Sequence, residues 1–263
     1  MKRLIPLAIP ALLLVLAVAG PADAQRPPRG MMRPLANPSA LIAADIAFSR
    51  LAQDKGKAKA FAETATKEAE MFGPQRVPVA EWLKRNDDGA ALKWQPHGAW
   101  ISCDGSAGVT RGAWQSNTAS GWYTTIWQQQ KKGDYKWALD QGSATAKPVE
   151  APDFLEGRIA DCPARSAPPG AGAIPGGEGP PRGKRPPPGD GKDVPLPPLA
   201  GPIPALSAAA GADAKDGRSR DGTLAWRSVV LPDGARDFTV WLWKDGAMTP
   251  VIQTHADAAK AAG

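Results

Sequence analysis

The chain has 263 residues, including 28 prolines, 2 cysteines and 2 histidines, and a formal net charge of +6 at neutral pH. Its basic residues are spread along the chain near acidic ones, which argues against a nucleic-acid-binding surface. The sequence has no Cys/His/carboxylate cluster at metal-ligand spacing, no Gly-rich phosphate loop and no Gly-x-Ser-x-Gly elbow. We therefore expect no metal site and no cofactor.

The N-terminus has the three parts of a secretory signal. Lys2 and Arg3 precede an apolar run from Leu4 to Ala19, and Ala22-Asp23-Ala24 supplies small residues for cleavage. The signal peptide is predicted over residues 1–24. No later stretch approaches 18 apolar residues, so no membrane span is expected. The Ala-rich and Pro-rich composition is typical of a bacterium, and we predict export to the periplasm.

Cys103 and Cys162 form an even cysteine count in an oxidising compartment, which predicts a single disulfide between them. A nucleophilic or redox role is disfavoured, because the sequence has no Cys-x-x-Cys pair and no adjacent histidine to lower a thiol pKa.

The first ordered elements are predicted to be helices. Residues 25–38 carry three arginines and four prolines without periodicity, and we interpret them as a flexible arm. Asn37 or Ser39 can cap a helix that ends before Gly56. A second helical piece is expected over residues 58–69, and a short third one near Trp82.

From Leu92 the pattern changes to strands. Alternation and turn residues predict four strands with short connections, which makes neighbouring strands antiparallel. Their ranges are 92–104, 107–116, 121–130 and 134–144.

The rest of the chain divides into three parts. Residues 147–222 are interpreted as an exit segment followed by a disordered Pro/Gly-rich linker, since half of the prolines lie between Pro163 and Pro204. Residues 223–255 alternate as a three-stranded meander, and residues 256–263 form a tail. Three short strands cannot bury enough surface alone, so the meander should dock on the main domain or on a partner.

The order of elements over residues 39–146 resembles the nuclear-transport-factor-like, SnoaL-like superfamily, in its bacterial branch of unassigned function. The motifs that carry the resemblance are Trp94-Gln95-Pro96, Ser102-Cys103-Asp104-Gly105, Gly112-Ala113-Trp114, Thr124-Thr125-Ile126-Trp127 and Lys136-Trp137-Ala138-Leu139-Asp140. The resemblance implies an α+β fold in which a strongly curved antiparallel sheet forms a cone around the N-terminal helices. A pocket at the open end and a homodimer through the outer sheet face are also implied.

A tight turn at Lys132-Gly133 predicts that Ile126 faces Leu139, Gln128 faces Trp137 and Thr125 faces Asp140. One face of this hairpin should then be concave and pack on the helix that contains Leu41 and Phe48. This concave face, together with Trp94 of the first strand, supplies the predicted pocket residues, which are Trp94, Trp122, Thr124, Gln128, Tyr135 and Trp137. Asp140 is expected on the opposite face.

Relatives that are enzymes use an Asp or His as acid or base in the cone, with a Tyr or a second acid as donor. The matching candidates are His97, Asp45 and Tyr135. Asp45 and His97 each have a structural alternative: Asp45 near the helix start is favoured by the helix dipole or pairs with Arg111, and His97 is a hydrogen-bonded core or rim residue.

Three functions compete at this point. Many aromatic and few ionisable side chains favour an exported, non-catalytic protein that binds a small apolar ligand or has kept the fold with no ligand at all. The second is an isomerase, cyclase or dehydratase that uses His97 or Asp45 with Tyr135. The third is an envelope interaction protein that acts through its Pro-rich linker.

Overall fold

The computed structural model describes residues 36–72, 74–86, 92–162, 200–206 and 209–258. In these ranges the chain forms three helices and eleven strands. They are α1 (Pro38–Lys55), α2 (Lys57–Thr64), β1 (Ala65–Phe72), β2 (Arg76–Pro78), α3 (Val79–Asn86), β3 (Lys93–Ile101), β4 (Ala107–Gln115), β5 (Ser120–Gln129), β6 (Tyr135–Thr145), β7 (Glu156–Ile159), β8 (Asp213–Arg218), β9 (Leu224–Val230), β10 (Arg236–Lys244) and β11 (Ala247–Ala256). The predicted signal peptide, nearly all of the arm and most of the Pro-rich stretch lie outside the described residues. No helix within the described ranges is long and apolar enough to cross a membrane.

The larger sheet has seven strands in the order β2-β1-β6-β5-β4-β3-β7. Its centre is the antiparallel run β3 to β6, which corresponds to the four strands predicted from alternation. Two outer pairings are parallel, β1 with β6 and β7 with β3. The predicted α+β class is confirmed, with a large mixed sheet and three helices.

Helix α1 begins as the sequence predicts. The Asn37 Oδ1 atom accepts a hydrogen bond from the Ser39 backbone N–H at 3.0 Å, and Pro38 occupies the first turn, where its missing N–H is not needed. Gly56 ends the helix with a φ of 87°, a conformation that glycine adopts without strain. Leu41 and Phe48 are buried on the inner side of α1.

The second helix is shorter than predicted. Helix α2 ends at Thr64, and residues 65–72, which include the last part of the predicted helix, form β1. Ala65, Ala69 and Met71 of this strand are buried, and the backbone pairs with β6. Sheet pairing therefore overrides the helix propensity of the Ala, Lys and Glu residues in this segment.

The second sheet has four strands, in the order β11-β10-β9-β8, where three were predicted. The additional strand β8 lies inside the predicted linker, and β7 of the larger sheet lies in the predicted exit segment before it. Strand β8 has no large apolar residue and is held by backbone pairing to β9 and by the Asp216–Arg227 ion pair. Alternation could not detect it, because this strand buries almost nothing.

The larger sheet is covered on both faces. On one face, α1 and α2 pack in a core that contains Phe48, Phe61, Trp127 and Trp137. On the other face, the second sheet packs in a separate core. Its members from the two sheets include Val109, Ile126, Leu139, Leu224, Phe238, Val240, Leu242 and Ile252. We call these the helix-side core and the sheet-side core.

The predicted disulfide is confirmed. Cys103 and Cys162 are bonded, with their Cα atoms 5.3 Å apart. Next to it, Asp161 forms an ion pair with Lys244 and accepts a hydrogen bond from the Asp245 backbone N–H at 2.7 Å. The chain leaves the larger sheet at a point that is fixed to both sheets.

The register of the β5–β6 hairpin differs from the prediction at one position. Ile126 pairs with Leu139 and Thr125 with Asp140 as expected, but Trp137 pairs with Trp127 and not with Gln128. Ala138 is an extra residue at this irregularity, and a β-bulge of this kind puts Trp137 and Asp140 on the same face. Asp140 therefore lies on the helix side, contrary to the prediction.

Candidate functional site

A cavity of about 290 Å³ lies on the helix side of the larger sheet. Its walls are mainly aromatic and come from α1, α2, α3, β1, β3 and β4, with one ring from each: Phe48, Phe61, Trp82, Phe72, Trp94 and Trp114. The rings pack edge to face or stacked; Phe48 lies 4.7 Å from Trp94, and Phe61 lies 5.8 Å from Trp82, between ring centroids. We call this space the aromatic cavity.

Six polar residues also line the aromatic cavity: Tyr123, Thr125, Asp140, Gln141, Ser143 and Arg236. Asp140 is partly exposed to the cavity and otherwise surrounded by protein. Its Oδ1 atom accepts a hydrogen bond from the Thr125 hydroxyl at 2.6 Å. Burial raises the pKa of Asp140 to about 7, which the Thr125 hydrogen bond partly offsets, and the nearby Asp45 carboxylate raises it further.

Asp45 lies directly behind this wall and is fully buried. Its two oxygens accept hydrogen bonds from the Trp94 indole N–H and the Tyr123 hydroxyl, both at 2.8 Å. Burial raises the pKa of Asp45 to about 6, and hydrogen bonds from Thr110, Tyr123 and Trp94 oppose that rise. Trp127 in turn donates its indole N–H to the Thr110 hydroxyl at 2.8 Å.

The two carboxyl groups differ in what they can do. Asp45 is enclosed by its donors and lines neither of the two cavities described here. Burial and the Asp45 charge raise the pKa of Tyr123, so this tyrosine keeps its proton and positions Asp45. Asp140 faces the aromatic cavity with a pKa near neutrality, and it can take a proton from a bound molecule or donate one to it.

Of the predicted pocket residues, Trp94 lines the aromatic cavity. Because Tyr123, Thr125 and Trp127 of β5 lie on the helix side, alternation places Trp122, Thr124 and Gln128 on the opposite face. The predicted alternation in β5 is correct and the choice of inner face is wrong.

The two other predicted pocket residues lie on the helix side without lining the cavity. Trp137 is fully buried in the helix-side core, where its indole N–H donates to the Thr64 hydroxyl at 3.0 Å. Tyr135 donates its hydroxyl to the Gly105 carbonyl oxygen at 2.7 Å, so it holds a turn and does not face Asp45.

His97 lies away from Asp45 and Tyr135. It lines a second cavity of about 380 Å³, together with Arg50, Ala151 and Leu155. Burial and the charge of Arg111 lower the pKa of His97, and its Nε2 atom has no hydrogen-bond partner within the described residues. The structure does not bring the three predicted catalytic candidates into one site, and Arg111 makes no ion pair with Asp45 in the described ranges.

The cavity residues that the sequence did not reveal include two that can carry charge, Asp140 and Arg236. Asp140 was assigned to the wrong face because it pairs with Thr125, and the wrong face of β5 was predicted to be the inner one. Arg236 begins β10 of the second sheet, and nothing in the sequence indicates that it reaches a cavity of the first. Among the described residues, no group of His, Cys, Asp and Glu side chains could hold a metal ion.

Comparisons with known proteins give likenesses of fold. The sequence matches no protein-family model and no curated protein. Three of the similar solved structures are a ketosteroid isomerase-like protein from Erwinia carotovora atroseptica, a nuclear transport factor 2-like superfamily protein from Salmonella enterica and an LEH-like epoxide hydrolase from Mycobacterium tuberculosis.

Their identities to this chain are 13%, 14% and 14%, and their TM-scores are 0.36, 0.33 and 0.31. The matches cover 42%, 41% and 41% of this chain and 97%, 92% and 79% of the other chains. These similarities are too low to assign a family or a function to the chain.

Proposed function

We propose that the protein is exported and binds one small, mostly apolar molecule in the aromatic cavity. The observation that carries this proposal is a cavity of about 290 Å³ whose walls are mainly apolar and include seven aromatic side chains. Ligand sites in proteins have this character: a largely apolar lining with a few polar groups that orient the ligand. The N-terminal signal pattern and the Cys103–Cys162 disulfide support export.

We also propose that the larger sheet curves around α1 and α2 as a cone. The packing of Phe48 and Phe61 against rings from β3, β5 and β6 supports this, because side chains of several strands converge on the same two helices. The homodimer remains a prediction; the second sheet already packs on the outer face through which it was expected. A partner of the Pro-rich stretch remains a prediction as well.

Binding can be tested with a neutral, apolar fluorescent dye, N-phenyl-1-naphthylamine, whose emission rises when it leaves water. We expect saturable binding by the full chain. Ala144 lines the aromatic cavity and Ala151 lines the second cavity, and both are exposed. Ala144→Trp should fill part of the aromatic cavity and weaken dye binding at least tenfold, while the matched control Ala151→Trp should leave it unchanged.

Two results would contradict the proposal. One is the absence of saturable dye binding to the wild-type protein. The other is equal loss of binding in Ala144→Trp and Ala151→Trp, which would place the dye elsewhere. Native mass spectrometry of protein purified from its own host, before and after denaturation, gives an independent measurement of a bound small molecule.

One observation favours a second candidate function, proton transfer to or from the bound molecule. Asp140 faces the aromatic cavity, and burial raises its pKa to about 7. A carboxyl group with a pKa near the working pH is suited to general acid–base catalysis. This would make the protein an isomerase, cyclase or dehydratase with Asp140 as the catalytic residue, in place of His97, Asp45 or Tyr135.

Exchange of an α-proton tests this candidate without knowledge of the substrate. In deuterated water, Asp140 would take an α-proton from the cyclic ketone 2-tetralone, leaving an enolate, and a deuteron would return to carbon. We expect NMR to show exchange faster than with buffer alone. Asp140→Asn should abolish that acceleration, whereas Asp153→Asn, at an exposed position, should not change it. No acceleration by the wild-type protein would contradict this function and leave binding intact.

A further inference from the structure

Arg236 reaches the aromatic cavity from the second sheet. Its Nη2 atom donates a hydrogen bond to the Gly142 carbonyl oxygen at 3.1 Å, and its guanidinium carbon lies 5.2 Å from the centre of the Phe72 ring. Its Nε atom is buried and has no hydrogen-bond partner within the described residues. The side chain is half-buried and lines the cavity beside Asp140 and Gly142.

Among the described residues, two other arginines lie over aromatic rings, and both have acidic partners. Arg76 lies over the Phe72 ring, and its Nε atom pairs with Asp213 at 2.8 Å. Arg227 lies over the Trp241 ring and pairs with Asp216. Arg236 has no carboxylate within ion-pair distance in the described part of the chain, and its neighbour Asp237 pairs with His255.

An arginine in this position is costly for the folded protein. A guanidinium that loses water without gaining an anion is destabilising, and a buried N–H without an acceptor adds to that cost. Burial also lowers the pKa of Arg236, as expected for a cation without a counter-ion. Asp140 does not supply the missing charge, because its carboxyl group is bonded to Thr125 and forms no ion pair with Arg236.

We propose that Arg236 binds the acidic group of the molecule held in the aromatic cavity, and that this molecule is an amphipathic carboxylate. Its apolar ring or chain lies among the aromatic walls, and its carboxylate accepts hydrogen bonds from the Arg236 guanidinium, which is suited to planar, two-oxygen acceptors. This inference rests on the proposed binding function. It makes the second sheet part of the site, since Arg236 belongs to β10.

The test compares two probes that differ in charge and little in size, 1-naphthylacetate and 1-naphthylacetamide. Displacement of N-phenyl-1-naphthylamine from the full chain gives the dissociation constant of each. We expect the wild-type protein to bind the carboxylate at least tenfold more tightly than the amide. Arg236→Gln should reduce that ratio to about one, and Arg236→Lys should retain part of it. The control variant is Arg227→Gln, because Arg227 is on the same sheet but does not line the cavity. This variant should keep the wild-type ratio of the two dissociation constants.

Thermal unfolding without ligand separates binding from a structural role. Because Arg236 has no acidic partner in the described part of the chain, Arg236→Gln should unfold at the same temperature as the wild-type protein or at a higher one. A large decrease would assign Arg236 to the packing of the two sheets and overturn the inference.

The other outcomes of the displacement experiment also decide whether the inference stands. Equal binding of acid and amide, or an unchanged ratio in Arg236→Gln, would overturn the anion site while binding to the cavity stands. If neither probe displaces a dye that does bind, the inference fails. If the dye itself does not bind, the proposed function fails with it.

Discussion

The two faces of the larger sheet are packed in different ways. The sheet-side core is mainly aliphatic and contains Val109, Ile126 and Leu139 opposite Leu224, Phe238, Val240 and Leu242. The helix-side core packs the rings of Phe48, Phe61, Trp127 and Trp137 among small and aliphatic side chains next to the aromatic cavity. On this side Asp45 is fully buried and accepts a hydrogen bond from the Tyr123 hydroxyl. The helix side therefore differs from the sheet side in its cavity and in its buried carboxyl group.

This contrast separates stability from function. Apolar burial on the sheet side is favourable without further conditions. On the helix side the fold bears the cost of two carboxyl groups whose pKa values are raised by burial. Sites that bind or react are commonly retained at such a cost. The effects of substitutions on the two faces should therefore differ in kind as well as in magnitude.

The largest loss of stability is expected in the sheet-side core. Phe238 is 1% exposed, and Phe238→Ala should lower the free energy of unfolding by about 3–5 kcal/mol through lost burial and a residual cavity. Urea unfolding measures the change. Phe154, which is 86% exposed, provides the control: Phe154→Ala should change stability by less than about 0.5 kcal/mol. Below the unfolding transition, Phe238→Ala should still bind the dye, which sharpens the contrast between the two faces.

A smaller effect is expected from removing the Asp45 acceptor. Asp45→Ala leaves the Trp94 and Tyr123 donors buried without partners, at a cost of about 2–4 kcal/mol in the free energy of unfolding. Asp45→Asn keeps one acceptor oxygen and should cost clearly less. Urea unfolding of the pair measures both values. Equal stability of Asp45→Ala and the wild-type protein would show that the network does not hold the helix side together.

The smallest effect is a change in pH dependence. Burial raises the folded-state pKa of Asp140 from 3.8 to about 7, so its contribution to stability is present below about pH 4 and is lost as pH rises through about 7. Asp140→Asn removes this loss. From about pH 5 to about pH 8, the melting temperature of the variant should rise relative to the wild-type protein by on the order of 5 °C.

Asp216→Asn is the control for that titration. Arg227 lowers the pKa of Asp216, so this group stays ionised in the folded and unfolded states throughout that pH range. The difference in melting temperature between Asp216→Asn and the wild-type protein should therefore be constant. A constant difference for Asp140→Asn as well would contradict the raised pKa of Asp140.

Much of the fold could be predicted where side chains alternate or a cap residue is present. Asn37 marked the start of α1, and alternation located β3 to β6. Strand β8 was missed because its sequence buries almost no apolar surface, and β1 was missed because its Ala, Lys and Glu residues favour helix. In both cases pairing with a distant strand decides the structure.

The candidate site was harder to predict, because both faces of β5 are rich in large apolar side chains. Ile126 and Trp127 are adjacent and both buried, one in each core. Alternation shows that they point in opposite directions and does not show which direction leads to the helices. The position of Arg236 depends on how two sheets dock, which no local pattern records.

The bulge at Ala138 has a consequence for recognising relatives of this chain. Inner-face residues of β5 recur every second position, as Tyr123-x-Thr125-x-Trp127, but those of β6 are spaced by three, as Trp137-x-x-Asp140. A search pattern built on strict alternation would align Leu139 with the inner face and discard the carboxyl group. A pattern that combines the two spacings would select sequences that keep a ring and an acid side by side in the same cavity wall.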